Sequence, residues 1–503
     1  MFNQTAVNRS FWRATAHTAS YTKLGHDATV DVMVAGGGIA GVLTAYLAAK
    51  EGKTVALVEA REVGGGTTGG TTAKLSAQHE LIYADLLQTY GLDVAKLYYQ
   101  ANAEGLQLIR DLVNDLAIEC DFEQMTSYVY SQKGKHTRQL EQEADAYKKI
   151  GAPGGVQQDM PLDIGRHLNT DSVLTMENQA QFHPVKFLNG MLHALEDEGG
   201  HIYQHTMVED VQKQGDSFRV TTDTPYSITA KQVIIATLFP AMDPHSFYSN
   251  RLKPVTSHLL AFSSDNHLGG GMYISADDPK RTVREAWDGK SSYLLVGGET
   301  HPTGDSHSTE ERYASLLHYA QRTFGTGNPV DYWSEHELLT PDRLPYVGIL
   351  DEEQEGMYVM TGFNKWGLTN AGASAKLIVD LVLGKDNPYE KLFHPHRTWP
   401  SEATGGSGAS SQTAPSLTEQ VKELAAGDAF TTKVEGKQTG VYKDDSGNVH
   451  YLDLSCTHLG CEVRWNDGDA TWDCPCHGSI FSGSGEVLAG PAKQPLKPIK
   501  PSH

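Results

Sequence analysis

The chain has 503 residues, 39% hydrophobic and 20% charged, a globular composition with length for roughly two to four structural units. A formal net charge of −21 argues against nucleic-acid binding, which needs basic surface, and leaves solubility or an acidic docking face for a basic partner. The most apolar run, 375–383 (AKLIVDLVL), is far short of the roughly 20 residues of a membrane span, and no secretory signal opens the chain, so the expected compartment is the cytoplasm.

Residues 29–34 (TVDVMV) read as a buried strand. The turn Gly36-Gly37-Gly38-Ile39-Ala40-Gly41 follows, then an apolar helix and a second strand, 54–58, ending in Glu59. In this G-x-G-x-x-G setting the first glycine permits the tight turn and the second lets backbone amides approach a pyrophosphate. The third lets helix and strand pack closely. The helix N-terminus faces the phosphates, and Glu59 accepts from ribose hydroxyls. The match at Gly64 to Gly69 lacks this context. Such a unit binds FAD or NAD.

Further along, 133–149 reads as a charged, solvated helix, and 233–236 (VIIA) and 357–360 (MYVM) as later strands of the first sheet. Segments 258–264 and 292–296 read as strands of a second, largely antiparallel sheet. At 401 the composition changes: SEATGGSGASSQTAPS, 401–416, has the makeup of a flexible linker between a large unit, 1–400, and a small one, 417–503. Of five cysteines, Cys120 stands alone and reads as a buried thiol, while four cluster between Cys456 and Cys476 as a metal site would require.

Over residues 29–390 the chain resembles the D-amino-acid oxidase family, which includes sarcosine and glycine oxidases. Four segments carry the resemblance: Arg61 with the Gly/Thr run from Gly64 to Thr72, Gln181-Phe182-His183-Pro184, Thr340-Pro341-Asp342-Arg343-Leu344-Pro345, and Gly362-Phe363-Asn364-Lys365-Trp366-Gly367-Leu368-Thr369. The resemblance implies an α/β fold, with a Rossmann-like FAD-binding domain and an interleaved antiparallel-sheet substrate domain. A second nucleotide fingerprint is missing, which favours FAD alone. Its expected contacts are Gly36, Gly38, Ile39, Ala40, Gly41, Glu59, Ala60, Arg61, Thr67, Thr68, Lys74, Val208, Gly362, Trp366, Gly367, Leu368 and Thr369.

Family likeness further implies hydride transfer from a C–H beside nitrogen to the flavin. Arg284 is the candidate clamp for a substrate carboxylate, Arg343 the next, and His301 a candidate for the pocket wall. Lys74 and His79 follow the Thr-rich run, His79 as a candidate for a covalent flavin link.

The boxes Cys456-Thr457-His458-Leu459-Gly460-Cys461 and Cys474-Pro475-Cys476-His477-Gly478-Ser479 could in principle bind zinc through two Cys and two His. Both closely resemble the Rieske proteins of cytochrome bc-type complexes. That resemblance implies a small all-β domain with a [2Fe–2S] cluster, Cys456 and Cys474 on one iron, His458 and His477 on the other. It implies a disulfide between Cys461 and Cys476, a covering loop at Gly490-Pro491-Ala492, and a Ser479 hydroxyl donating to a cluster sulfur. Phe481 stands where the high-potential form carries tyrosine, which should lower the potential.

Together these features imply a dehydrogenase that passes electrons from a small-molecule substrate to FAD, then singly through the cluster to a one-electron acceptor or redox partner protein. Two alternatives stand beside it. An external reductase could feed the cluster, or the Rieske tail could be a docking or redox-sensing module on an oxidase.

Overall fold

The computed structural model describes residues 7–132, 134–158, 160–170, 172–264, 268–398, 417–434 and 436–500. The linker expected at 401–416 lies outside the described residues.

Ala28–Ala35 and Val55–Val58 are apolar runs, and apolar on both faces is the pattern of a strand in a covered parallel sheet. They pair in parallel, with Ser227–Ile235 on one side and His201–Tyr203 on the other. Met357–Thr361 extends the parallel set and Tyr346–Ile349 closes it antiparallel. One face is covered by the helices Ile39–Lys50, Leu92–Asp115 and Gly367–Val382. The last two cross glycine on glycine: a Cβ on Gly105 would collide with the Thr369 carbonyl, and one on Gly372 would lie 2.5 Å from the Gly105 carbonyl. That crossing fixes the helix that follows Trp366.

In the second sheet Lys253–Ser263 lies between Asp331–Leu339 and Ser292–Pro302, antiparallel to both. The sheet continues through Arg281–Trp287, Gly271–Ser275, Glu123–Ser131 and Ser172–Gln181; Gly271–Ser275 and Glu123–Ser131 pair in parallel, as do Val7–Asn8 and Asp331–Leu339 at the other end. The helix Thr309–Phe324 packs Tyr313, Leu316 and Ala320 on the sheet's outer face, leaving the inner face toward the first domain.

The expected charged helix spans Thr137–Ile150, but it is amphipathic rather than solvated throughout. Leu140, Tyr147 and Ile150 are buried, and the buried Glu143 carboxylate accepts from the Tyr83 and Ala84 N–H groups at 2.8 and 2.7 Å. The apolar stripe at helical spacing outweighs the count of charges.

Beyond Leu417 the chain forms two small antiparallel sheets. One holds Ala429–Val434, Lys437–Lys443 and Val449–Asp453; the other holds Arg464–Asn466, Thr471–Asp473, Ile480–Ser482 and Val487–Ala489. Leu452, Leu454, Val463, Trp472 and Phe481 form their core around Cys456 and Cys474. Among the described residues no helix is long and apolar enough to cross a membrane.

Candidate functional site

At the dinucleotide turn the glycines are demanded by space. Gly36 has φ +114°, and a Cβ there would lie 2.5 Å from the Ala236 carbonyl oxygen. A Cβ on Gly41 would collide with the carbonyl of Gly36. Glu59 turns back over the loop, accepting from the Gly37 N–H at 2.7 Å and the Arg61 N–H at 2.9 Å. Thr68 Oγ1 accepts from the Ile39 N–H at 3.0 Å, and Thr67 Oγ1 donates to the His336 carbonyl at 2.9 Å. The Gly/Thr run thus bridges the helix N-terminus and the second sheet. Ala60 and Arg61 are exposed, and Val208 is buried near the Glu59 strand end, where the Thr206 N–H reaches the Glu59 carbonyl at 3.0 Å.

Against the inner face of the second sheet lies a cavity of about 110 Å³. Trp366, Gly367 and Leu368 form one wall, Gly70, Thr71, Thr72 and Lys74 a second, and Leu259, Thr282, Gly297, Glu335 and Glu337 a third. Gly362, at φ +69°, starts the loop, and Asn364 pins it through the Thr340 N–H at 2.9 Å. His79 braces the loop from behind. It stacks on Trp366 at 4.5 Å, and its two ring nitrogens meet Tyr98 OH at 2.7 Å and Thr369 Oγ1 at 3.1 Å. Burial pushes its pKa down to about 3, so the ring is neutral. With both nitrogens engaged, His79 holds the loop rather than offering an atom for a covalent flavin bond.

The cavity carries the expected Lys74 together with ionisable groups that sequence reasoning missed: Glu80, Lys280, Glu335, Glu337 and Lys365. Lys74 Nζ donates to the Tyr273 carbonyl at 2.7 Å and to Thr282 Oγ1, and burial drives its pKa well below the usual lysine range. Lys365 Nζ donates to Thr300 Oγ1 at 2.8 Å, and Lys280 pairs with Glu80. Glu335 and Glu337, two apart on one strand and so on one face, are pushed up to about 8 and about 7, chiefly by burial. Two acids alternating through Asp331–Leu339 were the available sequence signal.

The expected substrate-pocket residues Arg284, Arg343 and His301 do not line this cavity. Arg284 shares the face of Thr282 but lies farther along the strand. Its Nη1 donates to the Thr72 and Ala73 carbonyls at 3.1 and 2.6 Å, its Nε to the Glu285 carbonyl at 2.9 Å, and it sits 5.1 Å over the Trp12 ring. It braces the Thr-rich run instead of facing the cavity. Arg343 pairs at the surface with Asp85 at 2.5 Å. His301 contacts the ring of His258 at 3.0 Å and the Pro302 carbonyl at 2.9 Å, and is not among the described residues lining the cavity.

In the small domain a disulfide joins Cys461 to Cys476, leaving Cys456 and Cys474 as free, buried thiols that face each other. Backbone N–H groups of His458 and Leu459 point at Cys456, and those of Cys476 and His477 at Cys474; within the pair, the hydrogen bond from Cys474 holds Cys456 toward thiolate, while Cys456 and burial keep the Cys474 thiol protonated. Ser479 donates toward Cys456 and accepts from the Ala492 N–H at 3.1 Å, which joins the covering loop to the site. The His458 and His477 rings lie 5.0 Å apart, and His458 Nδ1 is buried with no hydrogen-bond partner. A buried orphan nitrogen beside a second imidazole and two sulfurs is what an iron ligand looks like without its iron. These residues fit the cluster, as the glycine turn and loop fit FAD.

Fold and sites together define a flavin-dependent oxidoreductase with an iron–sulfur domain at its C-terminus. Residues 31–381 match the family described as FAD dependent oxidoreductase, and residues 415–500 match the Rieske [2Fe-2S] domain. The chain belongs to the FAD-dependent oxidoreductase family of D-amino-acid oxidase type and carries a Rieske domain; its cofactors are FAD and a [2Fe–2S] cluster. It is 35% identical over 501 residues to the Rieske 2Fe-2S iron-sulfur protein YhfW of Bacillus subtilis, covering 97% of each chain. It is 25% identical to gamma-glutamylputrescine oxidoreductase of Escherichia coli, over 78% of this chain and 94% of that one. The fold also matches the crystal structure of glycine oxidase from Geobacillus kaustophilus, with TM-score 0.63, 20% identity, and coverage of 74% and 100%.

Proposed function

We propose that the chain is a dehydrogenase for a small amine or amino-acid-like substrate and that electrons leave it singly, through the Rieske domain, to an external acceptor. FAD supplies hydride acceptance at carbon beside nitrogen, and the cluster supplies one-electron exchange. The observation that carries the reading is that both imidazole ligands turn toward the flavin-binding half.

The chain's own groups suit an amine. Glu337, poised at about 7, would take the proton that a substrate ammonium must lose before a hydride can leave, with Glu335, which holds its own proton up to about 8, beside it. No carboxylate clamp faces them from Arg284, and one relative is named for gamma-glutamylputrescine. Lys74, held by Tyr273 and Thr282, closes the wall opposite the loop. Anaerobic mixing with a panel of amines, amino acids and N-methyl amino acids is expected to bleach the flavin with at least one member. Glu337→Gln should then move the pH profile of that bleaching. A full panel without bleaching would overturn the reading, and so would stoichiometric peroxide from enzyme both with and without its cluster.

A further inference from the structure

We infer that the Rieske domain works from a fixed seat on the flavin-binding half, in which Phe239 packs against both His458 and His477. The inference deepens the function proposed above and rests on it only for the direction of electron flow.

Phe239 is buried, and its ring centroid lies 5.6 Å from each imidazole, edge to face at 72° for His458 and 64° for His477. It belongs to the turn after Ser227–Ile235, at the carboxyl end of the central strands. The Ala236 N–H of that turn donates to the Ala35 carbonyl at 2.8 Å, and its carbonyl is the atom that forbids a side chain at Gly36. The neighbouring Leu238 carbonyl accepts from the Thr361 hydroxyl, and Thr361 precedes Gly362 of the flavin loop. One ring contact, one hydrogen bond and short covalent segments therefore connect the cluster ligands to the flavin loop.

The loop bearing Ser249 is itself held. The Asp243 carboxylate accepts from the Tyr248 N–H at 2.7 Å and the Ser249 N–H at 3.0 Å, and the Ser249 carbonyl faces the His477 ring. Packing here is at van der Waals contact: a Cβ on Gly478 would lie 3.0 Å from Pro254, and one on Gly304 would lie 3.1 Å from Asp473 and Pro475. A second, polar edge clasps the domain away from the histidines. Asp467 caps the helix Thr309–Phe324, accepting from Ser308 Oγ at 2.6 Å and the Thr309 N–H at 2.8 Å. Tyr313 OH donates to Asp469 at 3.0 Å, and Arg464 donates to the Gly304 carbonyl at 2.9 Å. Domain contacts in one chain are loose by default, yet here ring packing, a helix cap and two further hydrogen bonds hold one small domain.

With both cofactors bound, this junction would carry electrons one at a time from reduced FAD to the oxidised cluster, with a one-electron acceptor as final sink. The seat spares each crossing a search by a tethered domain.

Two measurements on the holoprotein test the seat. Diethyl pyrocarbonate acylates exposed imidazole nitrogen, and His307, 77% exposed, serves as the internal standard. In the wild type, His458 and His477 are expected to be protected relative to His307. Asp467→Ala, remote from the cluster, and Phe239→Ala should remove that protection. In the second measurement bound FAD is photoreduced with EDTA and light while cluster absorbance is followed, so that no substrate is needed. Cluster reduction should be first order and independent of protein concentration. Both alanine variants should slow it about tenfold or more, as misplacement on the order of 1 Å can, and Phe239→Tyr should restore it. Labelling of His458 and His477 as fast as that of His307 in the wild type, or a rate rising with protein concentration, would overturn the seat. Failure of every amine to bleach the flavin would instead overturn the proposed function and leave the seat standing.

Discussion

Gly41 sits so close to the Gly36 carbonyl that any side chain displaces the turn. Gly41→Ala is therefore expected to lower the FAD content of purified protein, read from the visible absorbance, while iron content is unchanged. Arg284 gives the opposite kind of expectation. Its guanidinium satisfies the Thr72 and Ala73 carbonyls, so Arg284→Ala should cost about 1–3 kcal/mol of stability in urea unfolding, the range for leaving buried polar groups unpaired. Binding of acid and carboxylate-free substrates should weaken alike. Phe481, buried beside Cys456 and Cys474, lacks the hydroxyl of the high-potential form, so Phe481→Tyr should raise the cluster potential in voltammetry. Residues of this kind differ in how they could be read. The glycines of the dinucleotide turn and the Cys461–Cys476 disulfide were legible because their chemistry goes with local motifs. Arg284 and His301 were not, because alternation along a strand gives a side chain's face but not its depth. Arg284 overshoots the cavity that Thr282 reaches.

Among the elements, Asp331–Leu339 carries the densest chemistry, with Glu335 and Glu337 side by side on the face toward the cavity. The folded chain holds the Glu335 proton up to about 8, whereas an ordinary glutamate gives it up near 4.5. Folding thus favours the protonated form, a contribution fully present below 4.5 and lost as pH rises through about 8. The buried Lys74 and Lys365 slope the other way, so the comparison must be differential. Between about pH 6 and about pH 9, Glu335→Gln should show a thermal midpoint that falls less than the wild type's. An equal fall in both would mean that water reaches this carboxylate freely. The two-sheet arrangement was legible from apolar runs bounded by turns. The amphipathic face of Thr137–Ile150 was obscured by its charges, and the acids of Asp331–Leu339 by their resemblance to an ordinary edge-strand alternation.

At the level of the whole molecule, the contact between the domains was invisible in the sequence. Phe239 lies in an unremarked TLFP segment, Asp467 in a surface turn, and only folding brings them to the other domain's histidines and helix. Removing residues 401–503 would strip Thr309–Phe324 of its Asp467 cap, so the shortened chain is expected to be less stable as well as cluster-free. His477→Ala is the cleaner interruption, since it removes one iron ligand while the body of the domain stays. The central claim is that electrons enter at the flavin and leave through the cluster. Anaerobic stopped-flow spectroscopy of the intact holoprotein, mixed with an amine that bleaches it, tests this most directly. Flavin reduction should come first, cluster bleaching should follow, and His477→Ala should abolish the second phase without slowing the first. Cluster bleaching ahead of the flavin, driven by an external reductase, or a flavin that is reduced while the cluster stays oxidised, would contradict it.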